Sequence, residues 1–167
     1  MYILLHRFEM RVKHQSYIRE TLTQAAEAAE RGDRPCGSLL VRDEEILKRA
    51  SNRVYSGDDI TLHPELTLIR WLAAECSVDQ QRETILYTTI EPCSMCATAI
   101  AQTDLGAVVY AVPGDSYWKL AATSSHAVPD DYIPCAEVFN RLGSQTSVDS
   151  SALTAEGLAV VREWLNQ

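Results

Sequence analysis

Residues 84–100 read TILYTTIEPCSMCATAI, and the fold turns on them. The first half is a compact apolar run rich in Ile, Tyr and Thr, the composition of a buried strand. Pro92 interrupts it. From Cys93 onward the apolar residues change phase: Cys96, Ala97, Ile100 and Ala101 fall on one helical face. A strand that passes through a proline into a helix predicts a sheet with helices packed on it. Cys93 and Cys96 sit three positions apart at the start of that helix. They admit three readings: a redox pair, half of a metal site, or two small core residues.

Working outward, the pattern repeats. GAVVYAV (106–112) is a second strand, and the strand–helix–strand unit should be parallel with a right-handed crossover. PGDSYW (113–118) is read as breaking it. Upstream, Ile18, Leu22, Ala25, Ala26 and Ala29 recur at helical spacing from about Val12 to Ala29, and Gly32 and Pro35 stop that helix. GSLLVRDEEILKRASNR (37–53) reads as two strands around a turn at Asp43 and Glu44. From His63 to Cys76, the residues Leu66, Ile69, Leu72, Ala73 and Cys76 are helical again. The last third predicts a short helix from Ala136 to Leu142 and another from Thr154 to Leu165. No repeat or linker divides the 167 residues, so residues 1–167 are expected to form one domain. The element order predicts an α/β sandwich, a mixed sheet with helices on both faces.

Composition narrows the function. Lys and Arg number 15 against 23 Asp and Glu, a net charge of −8, and no basic cluster occurs. That balance favours a small or neutral substrate over a phosphate backbone, so nucleic acid is not expected as a partner. No apolar run is long enough to span a bilayer, and MYILLHRFEM is too soon charged for a secretory signal. A cytoplasmic location is expected, with the five cysteines reduced or on metal rather than in disulfides.

A second segment carries the other half of the chemistry. In TLHPELTLIRW (61–71), Pro64 suits the first position of a helix, which puts His63 at the cap. A cap relaxes the helical phase, so His63 and Glu65 can face one site. Cys93 and Cys96 also sit at a helix start, where the macrodipole favours a thiolate. One imidazole and two thiolates match zinc in type and number, and three protein ligands leave the fourth position open, as catalytic sites do. Glu65 is then a carboxylate beside the metal, suited to moving protons.

H-x-E followed by P-C-x-x-C, here HPE and PCSMC, is the zinc deaminase signature. Over roughly Pro35 to Tyr110 the chain resembles the cytidine and deoxycytidylate deaminase superfamily. It is most similar to the branch of guanine deaminases, fungal-type cytosine deaminases and tRNA adenosine deaminases. The resemblance implies a three-layer α/β/α sandwich with a central mixed, mostly parallel sheet. It implies Zn²⁺ held by His63, Cys93 and Cys96, and hydroxide on that zinc attacking the carbon that bears the amine. Glu65 would shuttle the protons, and Asn52 would hydrogen-bond the base or sugar. It also implies a homo-oligomer, expected to be a dimer.

The chain departs from the common pattern at Pro64, where alanine is usual, and after Tyr110, where no branch matches. The expected activity is deamination of a free nucleobase or nucleoside of the guanine or cytosine type. The alternatives are a tRNA-specific adenosine deaminase and a non-catalytic zinc-binding partner subunit, though Glu65, whose loss would mark the latter, is present. A redox pair lacks a reason for the upstream H-x-E. A structural zinc site would need a fourth ligand from Cys36, Cys76 or Cys135, none of which has telling spacing. Cys36 and Cys76 are read as packing residues, with the alternative that Cys36, at the start of the Gly37 strand, lines the pocket; Glu91 is read as a cap for the helix that follows it, and Asp115, Tyr117 and Trp118 as capping or packing residues. The sharper idea for those three is that they close over a planar base. His6, His14 and His126 are read as surface or core residues.

Overall fold

The computed structural model describes residues 2–122, 132–150 and 153–166, with side chains from residue 14 onward. His126 and the side chain of His6 lie outside the described residues. In chain order the elements are α1 (Tyr2–Glu30), β1 (Gly37–Arg42), β2 (Glu45–Ser51), α2 (Pro64–Glu75), α3 (Val78–Arg82), β3 (Ile85–Ile90), α4 (Ser94–Ala101), β4 (Ala107–Val112), α5 (Gly114–Ala121), α6 (Cys135–Leu142), β5 (Ser147–Ser150) and α7 (Thr154–Leu165).

The sheet order is β2-β1-β3-β4-β5. β1 is antiparallel to both neighbours, while β3, β4 and β5 run parallel. Four strands therefore point one way and β1 the other, the mixed, mostly co-directional sheet that was expected. Side chains alternate across it. Leu39, Val41, Tyr87, Val109 and Ala111 pack with Ile18 and Leu22 of α1 and Val161 of α7 on one face. Leu40, Leu86 and Val108 pack with Leu68 and Leu72 of α2, Ala97 and Ile100 of α4, and Phe139 of α6 on the other. These are the three layers. Truncating a fully buried member such as Leu68 to alanine should cost about 2–5 kcal/mol.

Local rules set the joints. Gly32, at φ 86°, ends α1. The Gly32 N–H donates to Ala29 O at 2.9 Å and the Asp33 N–H to Ala28 O at 2.9 Å, a Schellman closure. Asp43 and Glu44 both have positive φ, as a two-residue hairpin turn requires. Gly37 brings β1 against α1, where a Cβ would collide with the Thr21 carbonyl and the Gln24 side chain.

Several expectations need correction. On α1 the buried stripe includes Ala28 in place of Ala26, and on α2 it includes Leu68 in place of Leu66 and Ala73. Cys76 is the C-cap of α2, partly buried and packed against the core as read. PGDSYW does break β4, but it starts α5: Pro113 is the N-cap and Asp115 lies in the first turn. The edge strand β5 and the five-residue α3 were also not foreseen.

The joints also collect one end of the sheet. Cys36 precedes β1, Asn52 follows β2, Cys93 follows β3 and Gly114 follows β4. Because β1 runs opposite to the rest, its beginning lies beside the ends of the others. Open α/β sheets bind ligands at such carboxyl ends, where the strand order switches.

Candidate active site

Two helix N-termini meet at this end. His63 is the N-cap of α2, in extended conformation with Pro64 next, and Cys93 is the N-cap of α4, also extended. Neither side chain caps its own helix, and both are turned to a common point. His63 Nδ1 lies 3.7 Å from Cys93 Sγ and 3.5 Å from Cys96 Sγ. All three donor atoms lie within 4.8 Å of one another. In a tetrahedral site, zinc bonds of about 2.3 Å to sulfur and about 2.0–2.1 Å to nitrogen place N and S about 3.5 Å apart. The residues fit zinc in type, number and spacing. Among the described residues no other group of three or more such ligands occurs. Cys36, Cys76 and Cys135 are outside it.

Glu65, in the first turn of α2, is buried beside the donors. Its Oε1 accepts from Thr88 Oγ1 at 3.0 Å and faces Cys36 Sγ at 3.5 Å. Its Oε2 faces Cys96 Sγ at 3.8 Å. Cys36 is thus more than packing: its thiol touches the carboxylate and lines the pocket.

Electrostatics follow from burial and neighbours. Burial pushes the Glu65 carboxyl up, against the pull of His63. Burial works against the His63 imidazolium, but Cys93 and Glu65 outweigh it and hold its pKa above the usual value. A hydrogen bond from Cys96 brings the Cys93 thiol down to about 4, and the same bond pushes Cys96 up. Of the two thiols Cys93 is the readier thiolate, and Cys96 would give up its proton to a divalent cation held by the three residues.

Above these groups opens a pocket of about 490 Å³ including its mouth. Asn52 lines it and is almost fully buried. Its Oδ1 accepts from the Val54 N–H at 3.1 Å. Tyr117 and Trp118 of α5 stand edge to face, with ring centroids 4.9 Å apart, and line the opposite wall with Tyr132. Asp115 points to solvent and pairs with Lys119 at 3.0 Å. His14 is bonded to the Tyr87 hydroxyl at 2.7 Å, away from the pocket.

Arg34, Ile90, Gly114 and Tyr132 also line the pocket, and no motif in the sequence marks them. Arg34 follows the stop of α1, lies over the Tyr55 ring at 5.7 Å and reaches the pocket. Gly114 and Tyr132 lie in the segment that matched no pattern. An aromatic run after the last confident strand was the one available signal.

A family model described as the cytidine and deoxycytidylate deaminase zinc-binding region matches residues 11–112. Guanine deaminase of Bacillus subtilis (strain 168) is 35% identical over 157 residues, 93% of this chain and 96% of that protein. The chloroplastic tRNA(adenine(34)) deaminase of Arabidopsis thaliana is 36% identical over 105 residues, 63% of this chain. This chain spans only 8% of that protein's length. A solved structure from work on A-to-I editing by tRNA:A34 deaminases superposes with a TM-score of 0.65 at 26% identity, covering 87% of this chain and 99% of the other. No helix among the described residues is long and apolar enough to cross a membrane.

Proposed function

This chain belongs to the cytidine and deoxycytidylate deaminase family of zinc-dependent hydrolases, and from that premise we propose that it removes the exocyclic amine of a free nucleobase or nucleoside of the guanine or cytosine type. The observation that carries the reading is the convergence of His63, Cys93 and Cys96, with the Glu65 carboxylate beside them on the floor of an aromatic-walled pocket. Held by those three residues, zinc supplies the Lewis acidity that makes water nucleophilic near neutral pH.

The chain's own groups do the rest. Glu65 takes a proton from the attacking water and delivers it to a ring nitrogen; it then carries the second proton, from the added hydroxyl, to the amine, so the water oxygen stays as the carbonyl and the amine leaves as ammonia. Burial raises its pKa, which makes it a stronger base toward that proton than an exposed carboxylate. The amide of Asn52 orients the base through an acceptor on its edge. Tyr117, Trp118 and Tyr132 stack on the planar ring and exclude water.

Two things support a free base or nucleoside. Similarity to the bacterial guanine deaminase runs through the last third, which supplies the aromatic wall, and the net charge of −8 opposes a phosphate backbone. A tRNA adenosine deaminase is the second reading, favoured by the plant relative and the tRNA:A34 deaminase structure. Two copies are expected to associate, which sedimentation would measure.

The test is ammonia release from guanine, cytosine, adenine, their nucleosides and tRNA, with zinc counted in the same sample. About one zinc per chain and turnover of a free base or nucleoside are expected. Turnover of tRNA alone would replace the substrate class, and a folded, zinc-free protein would sink the site.

A further inference from the structure

Glu91 does not cap the helix that follows it. Its carboxylate is buried and turned toward the far wall of the pocket. Oε2 accepts from the Gly114 N–H at 2.9 Å, and Oε1 accepts from the Cys135 N–H at 2.9 Å. Those amides belong to the first residues of α5 and α6, and each helix has a proline as its N-cap. Proline has no side chain that can accept an amide, so the N-terminal donors of both helices need an outside partner. One carboxylate serves both, at the positive ends of two macrodipoles.

Two phenols join it. Tyr110 and Tyr132 titrate above the usual phenol range, through burial first and then through Glu91. Gly114 makes room for this arrangement, because a Cβ there would run into the Tyr132 ring and hydroxyl. Glu91 is itself anchored by its N–H, which donates to Val112 O at 2.9 Å. It stands two residues before Cys93 in the chain.

The contacts converge on one wall. Gly114, Tyr117, Trp118 and Tyr132 all line the pocket, and all come from the segments that Glu91 holds. We infer that Glu91 is a positioning residue for substrate recognition: it clamps the starts of α5 and α6 to the turn that carries Cys93, and so sets the aromatic wall at a fixed distance from the metal-binding donors. It acts through the wall, chiefly through Tyr132, on a planar heterocycle held between wall and metal. Recognition can then change with the wall residues while the donors stay in place. The kinetic half of the test rests on the deaminase reading; the structural half does not.

Glu91→Gln keeps one acceptor but sets an NH₂ against the second amide. The expected result is unchanged zinc, kcat within about threefold, and KM raised about tenfold. Amide exchange at Gly114 and Cys135 should speed up while α2 and α4 stay protected. Tyr132→Phe and Gly114→Ala should raise KM in the same direction, and Glu91→Gln with Tyr132→Phe should be less than additive. Loss of zinc, or a fall in kcat at unchanged KM, in Glu91→Gln would overturn the inference in favour of a role in the metal turn. If that variant does not fold, unchanged KM in both Tyr132→Phe and Gly114→Ala overturns it. Wild-type silence on every substrate would sink the deaminase reading instead. Amide exchange then decides: unchanged protection at Gly114 and Cys135 in Glu91→Gln overturns the clamp.

Discussion

Thr88 Oγ1 donates to Glu65 Oε1 at 3.0 Å, so the middle of β3 fixes a carboxylate on the first turn of α2. Ser38 Oγ on β1 donates in turn to Thr88 Oγ1 at 2.8 Å. The chain of hydroxyls turns one carboxylate oxygen into the sheet and leaves Oε2 facing the metal-binding donors.

Thr88→Val keeps the shape of the side chain and removes that donor. A hydrogen bond to a charged group is worth about 1.5–3 kcal/mol, so kcat should fall roughly 10- to 100-fold with zinc retained. Steady-state kinetics with metal analysis measures both; wild-type kcat would show that Glu65 needs no such anchor.

Glu65→Gln keeps the size of the side chain and removes its capacity to carry a proton. Positioned proton transfer contributes roughly 10²–10⁴-fold, and a loss of that order is expected at unchanged zinc content. Retained ammonia release would assign the proton to another group, and Cys36 is the nearest candidate.

Asp33 gives the pH dependence. It is fully buried; its Oδ1 accepts from the N–H groups of Tyr55 and Ser56 at 3.0 and 2.9 Å, and its Oδ2 accepts from Ser56 Oγ at 2.8 Å. Burial pushes its carboxyl up, but the Ser56 and Tyr55 bonds, with Arg31, outweigh that and hold it below the usual value. A depressed carboxylate contributes stability that is fully present above the unfolded value of about 3.9 and is lost as pH falls through the folded value. Asp33→Asn should therefore cost about 1–3 kcal/mol at pH 7 and much less near pH 3. Urea unfolding at the two pH values tests it, and an equal gap at both would contradict it.

Gly37→Ala should push α1 away from β1, because the new methyl meets the Thr21 carbonyl and the backbone and side chain of α1 around Gln24. Overpacking of this kind costs about 1–3 kcal/mol. A thermal melt reads the loss, and an unchanged melting temperature would show that α1 slides freely.

Several local strings take a different structure once their tertiary partners are in place. Pro113 and Gly114 look like breakers, yet proline at the cap and glycine in the first turn start α5, and the Asp115–Lys119 pair supports it. Ser147–Ser150 is too polar and short to read as a strand, and it forms only because β4 offers an open edge. Leu68 displaces Leu66 from the buried stripe because the sheet face it meets, not periodicity alone, sets the helix rotation.

The sequence by itself determined the donors and their local phase. Proline after His63 and before Cys93 places both residues at helix starts, a matter of a few neighbouring dihedrals. The spacing of His63, Glu65, Cys93 and Cys96 named the chemistry. Only the tertiary structure decided that two caps thirty residues apart face each other, that Thr88 orients Glu65, and that Glu91 ties α5 and α6 to the pocket. Those contacts exist because both faces of one sheet must be buried, and that requirement, which no local string carries, stacks α2 and α4 side by side and brings the strand ends together.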